Sequence, residues 1–280
     1  MAEHSRVDLP AGPVEFRVLG PASGTPAVFV HGLLVDHQLW AGVAERLAER
    51  GVRSYLPTWP LGAHRVPMKL DADLSPRGQA VIVGDFLGAL DLTGVTLVGN
   101  DTGGAVCQFA IDVDHRRIGR LVLTNCDAFD VFPPKEFAGL VTLGRHPALI
   151  HLLAAALKIT ALRHHPRVFG ATFAGRPDAA MTGRWIDPAF REGAIRRDAA
   201  KLIRAIRPAD LLDVSTRFGA FTKPVDLVWG DDDPFFPLPF AERLAAAFPN
   251  ATLTLVPGGR TFVPMDFPDT VADAIAGPTV

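Results

Sequence analysis

Hydrophobic positions follow two alternating patterns along most of this chain. Longer stretches with helical spacing predict helices, and short β-branched runs between them predict strands. This alternation is typical of a mainly parallel sheet wrapped by helices, so we expect an α/β fold. The predicted strands lie near Val14–Leu19, Ala27–Val30, Val52–Leu56, Val95–Val98, Leu121–Thr124, Val225–Trp229 and Thr252–Val256. The predicted helices are Leu39–Arg50, Pro76–Leu90, Gly103–Val113, Pro239–Phe248 and Pro268–Ala276.

The alternation stops between Thr124 and Val225. Roughly Asp127 to Phe221 is rich in helix formers, Arg and His, and it contains no convincing strand pattern. We therefore expect a helical cap, residues 127–221, inserted between the two parts of one core, residues 1–126 and 222–280. Such an insertion is expected to lie over the mouth of the sheet.

Composition narrows the classes of partner. The chain has 280 residues, of which 48% are apolar, which is enough for one large core. Its net charge is −2 and its Lys and Arg residues are spread along the sequence, so nothing marks a nucleic-acid surface. A small-molecule substrate is the expected partner.

Cysteine content and apolar run lengths indicate the cellular compartment. Cys107 and Cys126 both lie in apolar runs, where they are expected to be buried small hydrophobes rather than a disulfide framework. The N-terminal residues lack a signal-peptide pattern, and the apolar stretch 149–162 is too short to span a bilayer. We expect a cytoplasmic protein with no membrane partner.

Residues just after each strand of an open α/β sheet are the candidates for chemistry. Residues 98–104 read Val-Gly-Asn-Asp-Thr-Gly-Gly, a strand followed by a tight turn and a helix. Gly99 and Gly103 leave room for the helix and strand to pass close beside a strained residue, Asp101. The helix N-terminus favours an ionised carboxylate. Asp101 is therefore predicted to be an anion at the position that Ser occupies in serine hydrolases.

A second strand end provides backbone donors. Residues 29–34 read Phe-Val-His-Gly-Leu-Leu, and here the N–H of Leu33 can pair with that of Thr102 as oxyanion or leaving-group donors. We expect His31 to shape this loop rather than to act as a base.

Three motifs together resemble the α/β-hydrolase superfamily, and specifically its haloalkane dehalogenase and epoxide hydrolase branch. They are His-Gly after the third strand, Gly-x-Asp-x-Gly-Gly after the fifth and Trp-Gly-x-x-Asp-Pro after the seventh. The resemblance implies an α/β-hydrolase fold with its cap inserted after the sixth strand and Asp101 as nucleophile. It also implies that Asp233 is the acid that orients a catalytic histidine. Asp231 and Asp232 are then solvated turn carboxylates, although three neighbouring carboxylates should raise at least one pKa.

The histidine itself is missing. The segment 255–264 resembles the family's histidine region, but Thr261 stands where His is expected, and no histidine follows His165. A hydroxyl without a basic partner cannot take a proton from water near neutral pH. Hydrolysis of an ester on Asp101 is therefore expected to be slow unless another group accepts the proton.

Several residues are alternatives for that acceptor or for the pocket wall. His37 starts the helix after the loop of Leu33, and His64 lies just after the fourth strand; we expect both to be surface or lining residues rather than bases. Asp233 could hold a water if burial raised its pKa. Trp185 could line the pocket from the insertion, although a role in packing the insertion is equally expected. His164 and His165 could also reach the site, but their spacing does not indicate it.

The substrate side also departs from the resemblance. Dehalogenating relatives hold the halide with Asn and Trp where this chain has Leu33 and Thr102. Epoxide-opening relatives use two tyrosines of the insertion, whereas the single tyrosine here is Tyr55, assigned to a core strand. The residues therefore do not select one of the two substrate classes.

Three hypotheses for function remain. The first is hydrolytic cleavage of an ester, epoxide or halide-like bond in a small apolar substrate through Asp101, with an atypical proton acceptor. The second makes Asp101 a general base in a lyase, isomerase or cyclase reaction. The third is a ligand-binding protein that has lost catalysis. No cofactor is implied, because the sequence has no metal-ligand spacing and no dinucleotide glycine motif.

Overall fold

The computed structural model describes residues 3–276, and its centre is a sheet of eight strands. The strands are β1 Glu3–Leu9, β2 Gly12–Leu19, β3 Thr25–Val30, β4 Val52–Pro57, β5 Val95–Asp101, β6 Ile118–Cys126, β7 Val225–Gly230 and β8 Ala251–Val256. Their order across the sheet is β1-β2-β4-β3-β5-β6-β7-β8. The first two strands pair antiparallel, and β3 to β8 are parallel to one another. The carboxyl ends of these six parallel strands therefore meet at one edge.

The sequence predicted seven of these strands and missed β1. The residues of β1, Glu-His-Ser-Arg-Val-Asp-Leu, are mostly polar. This strand lies at the edge of the sheet and pairs only with β2 among the described strands, from Glu3 opposite Val18 to Leu9 opposite Gly12. An edge strand tolerates charged side chains, so the hydrophobic pattern that reveals central strands is absent from it.

Helices cover both faces of the sheet. The helices of the core are α1 Ala41–Glu49, α2 Pro76–Ala89, α3 Thr102–Val113, α10 Leu238–Ala247, α11 Val263–Asp266 and α12 Pro268–Ala276. One buried apolar cluster joins α2, α3 and α10 to one face, and a second joins α1 and α12 to the other. The predicted helix Leu39–Arg50 is divided, because a 3₁₀ turn, His37–Trp40, precedes α1. The fold is the mostly parallel, helix-flanked sheet that the sequence predicted.

The chain between β6 and β7 is helical over most of its length. It contains α4 Ala138–Gly144, α5 Pro147–Leu157, α6 Thr160–Arg163, α7 Ala179–Arg191, α8 Gly193–Ala205 and α9 Pro208–Ser215, with short helical turns Lys135–Phe137, Pro166–Gly170 and Phe218–Ala220. Its residues contribute to both apolar clusters of the core. We call residues 127–221 the helical segment; its separation from the core as a cap domain stays a prediction.

Candidate active site

Asp101 occupies a strained turn between β5 and α3. Its backbone has φ 52° and ψ −131°, a left-handed conformation that costs a non-glycine residue free energy. A Cβ on Gly103 would lie 2.3 Å from the carbonyl oxygen of Val30, and one on Gly99 would lie 2.7 Å from Cys107 Sγ. Both glycines are therefore required by close packing, as the sequence indicated. The turn holds Asp101 at the carboxyl edge of the sheet.

The Asp101 carboxylate lies against backbone N–H groups. The N–H of Leu33 donates to its Oδ2 over 3.3 Å. Burial raises the pKa of Asp101 to about 6, the N–H groups of Thr102 and Leu33 oppose that rise, and the charge of Asp233 adds to it. Asp101 is therefore mainly ionised at neutral pH, and the two predicted donors both act on its charge.

The loop after β3 approaches Asp101 closely. A Cβ on Gly32 would lie 2.1 Å from Asp101 Oδ2. The neighbouring His31 accepts a hydrogen bond from the N–H of Trp59 at Nε2 over 2.9 Å, so its Nδ1–H donates to the carbonyl of Gly32, also over 2.9 Å. Burial lowers the pKa of His31 to about 4. His31 is therefore neutral and fixes the loop, as the sequence predicted.

Asp233 and Thr261 are joined directly. The Thr261 hydroxyl donates to Asp233 Oδ2 over 3.0 Å, and the amide of Asn125 donates to the same oxygen over 2.8 Å. The N–H of Phe235 donates to the other oxygen over 2.9 Å. Burial raises the pKa of Asp233, and these donors oppose the rise. The structure thus brings together the two residues that the resemblance paired, with a hydroxyl in place of an imidazole.

The other two carboxylates of this turn face solvent. Asp231 is exposed and accepts from the N–H of Gly258, and Asp232 is exposed and pairs with Arg260. The predicted rise in pKa falls on Asp233, but its main cause is burial rather than repulsion by these neighbours. The two residues are turn carboxylates, as predicted.

An apolar cavity lies between this edge of the sheet and the helical segment. The predicted residues Leu33, Asp101, Thr102 and Thr261 are part of its wall. Its remaining polar lining, among the described residues, is Asp127 and Thr172. The rest is apolar: Leu34, Pro133, Pro134, Phe137, Val141, Gly144, Ile150, Leu153, Leu157, Val168, Phe169, Ala199, Ile203, Ile206, Phe235, Phe236 and Phe262. A polar floor under apolar walls suits a small apolar ligand with one reactive bond.

Four predicted pocket residues lie outside this wall. His31 holds the loop as described above, and His37 is hydrogen-bonded to the Thr58 hydroxyl over 2.8 Å with its pKa lowered to about 4 by burial. His64 bonds to Asp198 over 3.3 Å, and Trp185 is buried and donates from Nε1 to Asp36 over 3.0 Å. Each of these side chains is directed to a partner that fixes the helical segment or a loop of the core. None of the four is therefore placed to exchange a proton at Asp101.

Asp127 was not predicted as a site residue. It is fully buried in the cavity wall, directly after β6, and neither carboxyl oxygen has a hydrogen-bond partner of normal geometry among residues 3–276. Burial and the charge of Asp101 raise its pKa well above the usual range, and the Thr102 side chain opposes this only in part. The signal was its position after a strand, the criterion that identified Asp101.

In the part of the chain that the structure describes, no three His, Cys, Asp or Glu side chains are grouped as metal ligands would be. Cys107 and Cys126 are buried and free, as expected from their apolar surroundings. No helix within residues 3–276 is both long enough and apolar enough to cross a bilayer.

Comparisons with known proteins agree with the fold. The model of the alpha/beta hydrolase family matches residues 27–274. A 2-hydroxy-6-oxononadienedioate/2-hydroxy-6-oxononatrienedioate hydrolase from Cupriavidus pinatubonensis is 28% identical over 249 residues, covering 86% of this chain and 83% of that protein. Haloalkane dehalogenase 2 from Mycobacterium bovis is 28% identical over 212 residues, covering 70% and 68%. The crystal structure of haloalkane dehalogenase DbeA from Bradyrhizobium elkani aligns with a TM-score of 0.81 at 17% identity, over 99% of this chain and 97% of that one.

Proposed function

Because this chain belongs to the alpha/beta hydrolase family, we propose that it cleaves a small, apolar organic substrate by nucleophilic attack of Asp101. The bond attacked is that of an epoxide, an alkyl halide or an ester. The observation that carries the proposal is the position of Asp101: a carboxylate on a strained turn, facing an apolar cavity and held by the N–H of Leu33.

The surroundings of Asp101 suit attack on carbon. Apolar walls exclude water, so an anionic nucleophile in the cavity is poorly solvated and reactive. Attack by Asp101 Oδ on a carbon of an epoxide or an alkyl halide forms an ester and opens the ring or releases halide. Attack on the acyl carbon of an ester substrate instead forms a mixed anhydride and releases an alkoxide. Water then attacks Cγ of that ester or anhydride, and the N–H groups of Leu33 and Thr102 stabilise the oxyanion that forms. Collapse of this intermediate returns the carboxylate and releases an alcohol from the halide, a diol from the epoxide or a carboxylic acid from the mixed anhydride. One proton of the water stays on that product, and the other passes to the opened epoxide oxygen, to the alkoxide of the ester or, for a halide, to solvent.

The helical segment completes the proposed site. Its residues, including Val141, Ile150 and Ile203, line the same cavity as Asp101. We infer that it acts as a cap that defines the size of the substrate, with the domain division predicted at residues 126/127 and 221/222. The apolar character of this wall favours a substrate without charged groups.

Intact-protein mass spectrometry tests the proposal. The protein is exposed to epoxides, alkyl halides and activated esters in parallel with Asp101→Ala and Thr261→His. We expect a covalent adduct with at least one class, absent in Asp101→Ala, that Thr261→His hydrolyses because an imidazole beside Asp233 supplies a base. Absence of any adduct, together with unchanged substrates, would contradict a nucleophilic role.

A second candidate function makes Asp101 a general base. The raised pKa of Asp101, about 6, favours it, because a base is most efficient when its pKa lies near the working pH. Single turnover in ¹⁸O-labelled water separates the two candidates. Ester hydrolysis places the label in the Asp101 carboxylate, whereas base catalysis leaves Asp101 unlabelled while product still forms.

A further inference from the structure

The cavity contains a second carboxyl group that the proposed chemistry has not yet used. Asp127 is fully buried, lines the same cavity as Asp101, and has no hydrogen-bond partner of normal geometry for either oxygen within residues 3–276. A buried carboxyl group without a hydrogen bond of normal geometry is costly, and such groups are concentrated at functional sites. Its backbone is fixed, because the Gln108 side chain donates to the Asp127 carbonyl over 2.8 Å.

The groups around Asp127 favour its neutral form. The titratable groups that act on it are Asp101 and, as its immediate neighbour, Cys126, whose thiol is buried with its pKa raised well above the usual value. Among the described residues no cation contributes to the charge environment of Asp127, so only the Thr102 side chain opposes, in part, the effects of burial and of the Asp101 anion. An ionised Asp101 and a protonated Asp127 that line one cavity are thus the arrangement of one base and one acid in a shared site.

We propose that Asp127 is the proton donor and acceptor of this active site, and that it takes the part of the missing histidine for substrates whose leaving oxygen must gain a proton, namely epoxides. This inference rests on the proposed nucleophilic role of Asp101. It also assigns the acid that the single tyrosine, Tyr55 in β4, does not supply.

The proton balance closes over two steps. As Asp101 Oδ attacks an epoxide carbon, the C–O bond breaks and the Asp127 carboxyl proton passes to the leaving oxygen, giving a hydroxy ester and an Asp127 carboxylate. That carboxylate takes a proton from water, and the hydroxide attacks Asp101 Cγ. The tetrahedral intermediate expels the alkoxide, which takes the remaining proton of the intermediate. Asp101 is then ionised, Asp127 is protonated, and a diol leaves.

The same cycle fails for an alkyl halide. A halide ion leaves without a proton, so Asp127 stays protonated after the first step and cannot activate water. The ester on Asp101 therefore persists. The type of leaving group decides whether the enzyme turns over, which provides a test within a single protein.

The test compares the wild-type protein with Asp127→Asn, which keeps the shape of the side chain but can neither donate an acidic proton nor accept one. Asp130→Asn is the control, since Asp130 lies on the same loop but is exposed and pairs with Arg243. Each protein is given styrene oxide, with diol measured, and 1-bromohexane, with intact mass measured. The bromoalkane adduct also shows that Asp127→Asn is folded with a working nucleophile.

We expect the wild-type protein and Asp130→Asn to convert the epoxide to diol and to retain a lasting ester with the bromoalkane. Asp127→Asn should form the same ester but lose about 10²–10⁴-fold in epoxide opening. Epoxide opening at the wild-type rate in Asp127→Asn, or rapid release of the bromoalkane ester by the wild-type protein, overturns the role of Asp127 while leaving Asp101 as nucleophile. No ester from the bromoalkane and no diol from the epoxide in any protein overturns the nucleophilic attack of Asp101 on these two substrate classes, on which this inference rests.

Discussion

The hydroxyl of Thr261 donates a hydrogen bond to the buried carboxylate of Asp233 over 3.0 Å. In the family that the sequence resembles, the residue at position 261 would be a histidine whose imidazole lies between the acid and the attacking water. A hydroxyl already committed to Asp233 has no capacity to remove a proton from water at neutral pH. The Thr261 hydroxyl therefore satisfies a buried carboxylate, and the proposed hydrolysis requires a proton acceptor other than Thr261.

Thr261→Val tests how much the hydrogen bond between Thr261 and Asp233 contributes to stability. Valine keeps the shape of threonine but removes the donor, so buried Asp233 loses one of its hydrogen bonds. We expect the free energy of unfolding to fall by about 1–3 kcal/mol, measured by urea denaturation. The matched control is Thr252→Val, which removes a similar hydroxyl–carboxylate bond, to Asp226, at an exposed site. That variant should change stability by less than about 0.5 kcal/mol, and equal effects of the two substitutions would contradict the assignment.

Asp101→Asn should stabilise the protein at alkaline pH. Burial raises the pKa of Asp101 from 3.8 to about 6, so the folded protein binds this proton more tightly than the unfolded chain does. Its contribution to stability is fully present below about pH 4 and is lost as pH rises through 6. At about pH 8 the free energy of unfolding of Asp101→Asn should exceed that of the wild type by about 2–3 kcal/mol. At about pH 4 the two proteins should be nearly equal in stability.

Asp114→Asn supplies the control of opposite sign for that experiment. Hydrogen bonds from Arg116 hold the pKa of Asp114 well below its usual range. The stabilisation that the Asp114 carboxylate provides is present above its unfolded-state pKa and disappears as pH falls. Asp114→Asn should therefore be less stable than the wild type at neutral pH. Unfolding midpoints measured across the pH series distinguish the two cases. The same sign for both variants would contradict the burial of the Asp101 charge.

Asp101 could be predicted from the sequence and Asp127 could not, because only the Asp101 turn is determined by residues close to it in the chain. The Asp101 turn follows from glycines at fixed spacing between a strand and a helix, because packing at that turn involves residues close in the chain. Asp127 also follows a strand, but its place in the site depends on a cavity that it shares with α8 residues more than 70 positions away, such as Ala199 and Ile203. His64 was predicted as a pocket residue because it, too, follows a strand. Its partner, Asp198, is 134 positions away in the helical segment, and no local pattern indicates that pairing.

Asp198→Asn should loosen the attachment of the helical segment to the core. Asp198, in α8, accepts from the N–H of Met68 over 2.9 Å, from His64 and from Arg197. Burial alone would raise the pKa of Asp198, but these donors outweigh it and lower the pKa. We expect a loss of about 2–4 kcal/mol, because a buried network loses its anion. Hydrogen exchange should show faster opening of α8, and unchanged protection there would contradict this role.

Gly32→Ala should disable the proposed nucleophile, Asp101, without unfolding the protein. The added Cβ would lie 2.1 Å from Asp101 Oδ2, far inside van der Waals contact, so the carboxylate must move away from the N–H of Leu33. A displacement of this size is expected to slow ester formation by about 10²-fold or more. Gly84→Ala is the matched control, because Gly84 is an exposed position of α2 with no heavy atom within 4 Å of an added Cβ. This control should react normally and gain up to about 1 kcal/mol of stability, since alanine favours a helix over glycine. If Gly32→Ala reacts at the wild-type rate, the close approach of the loop is not what positions Asp101, and the nucleophile is held by its strained turn alone.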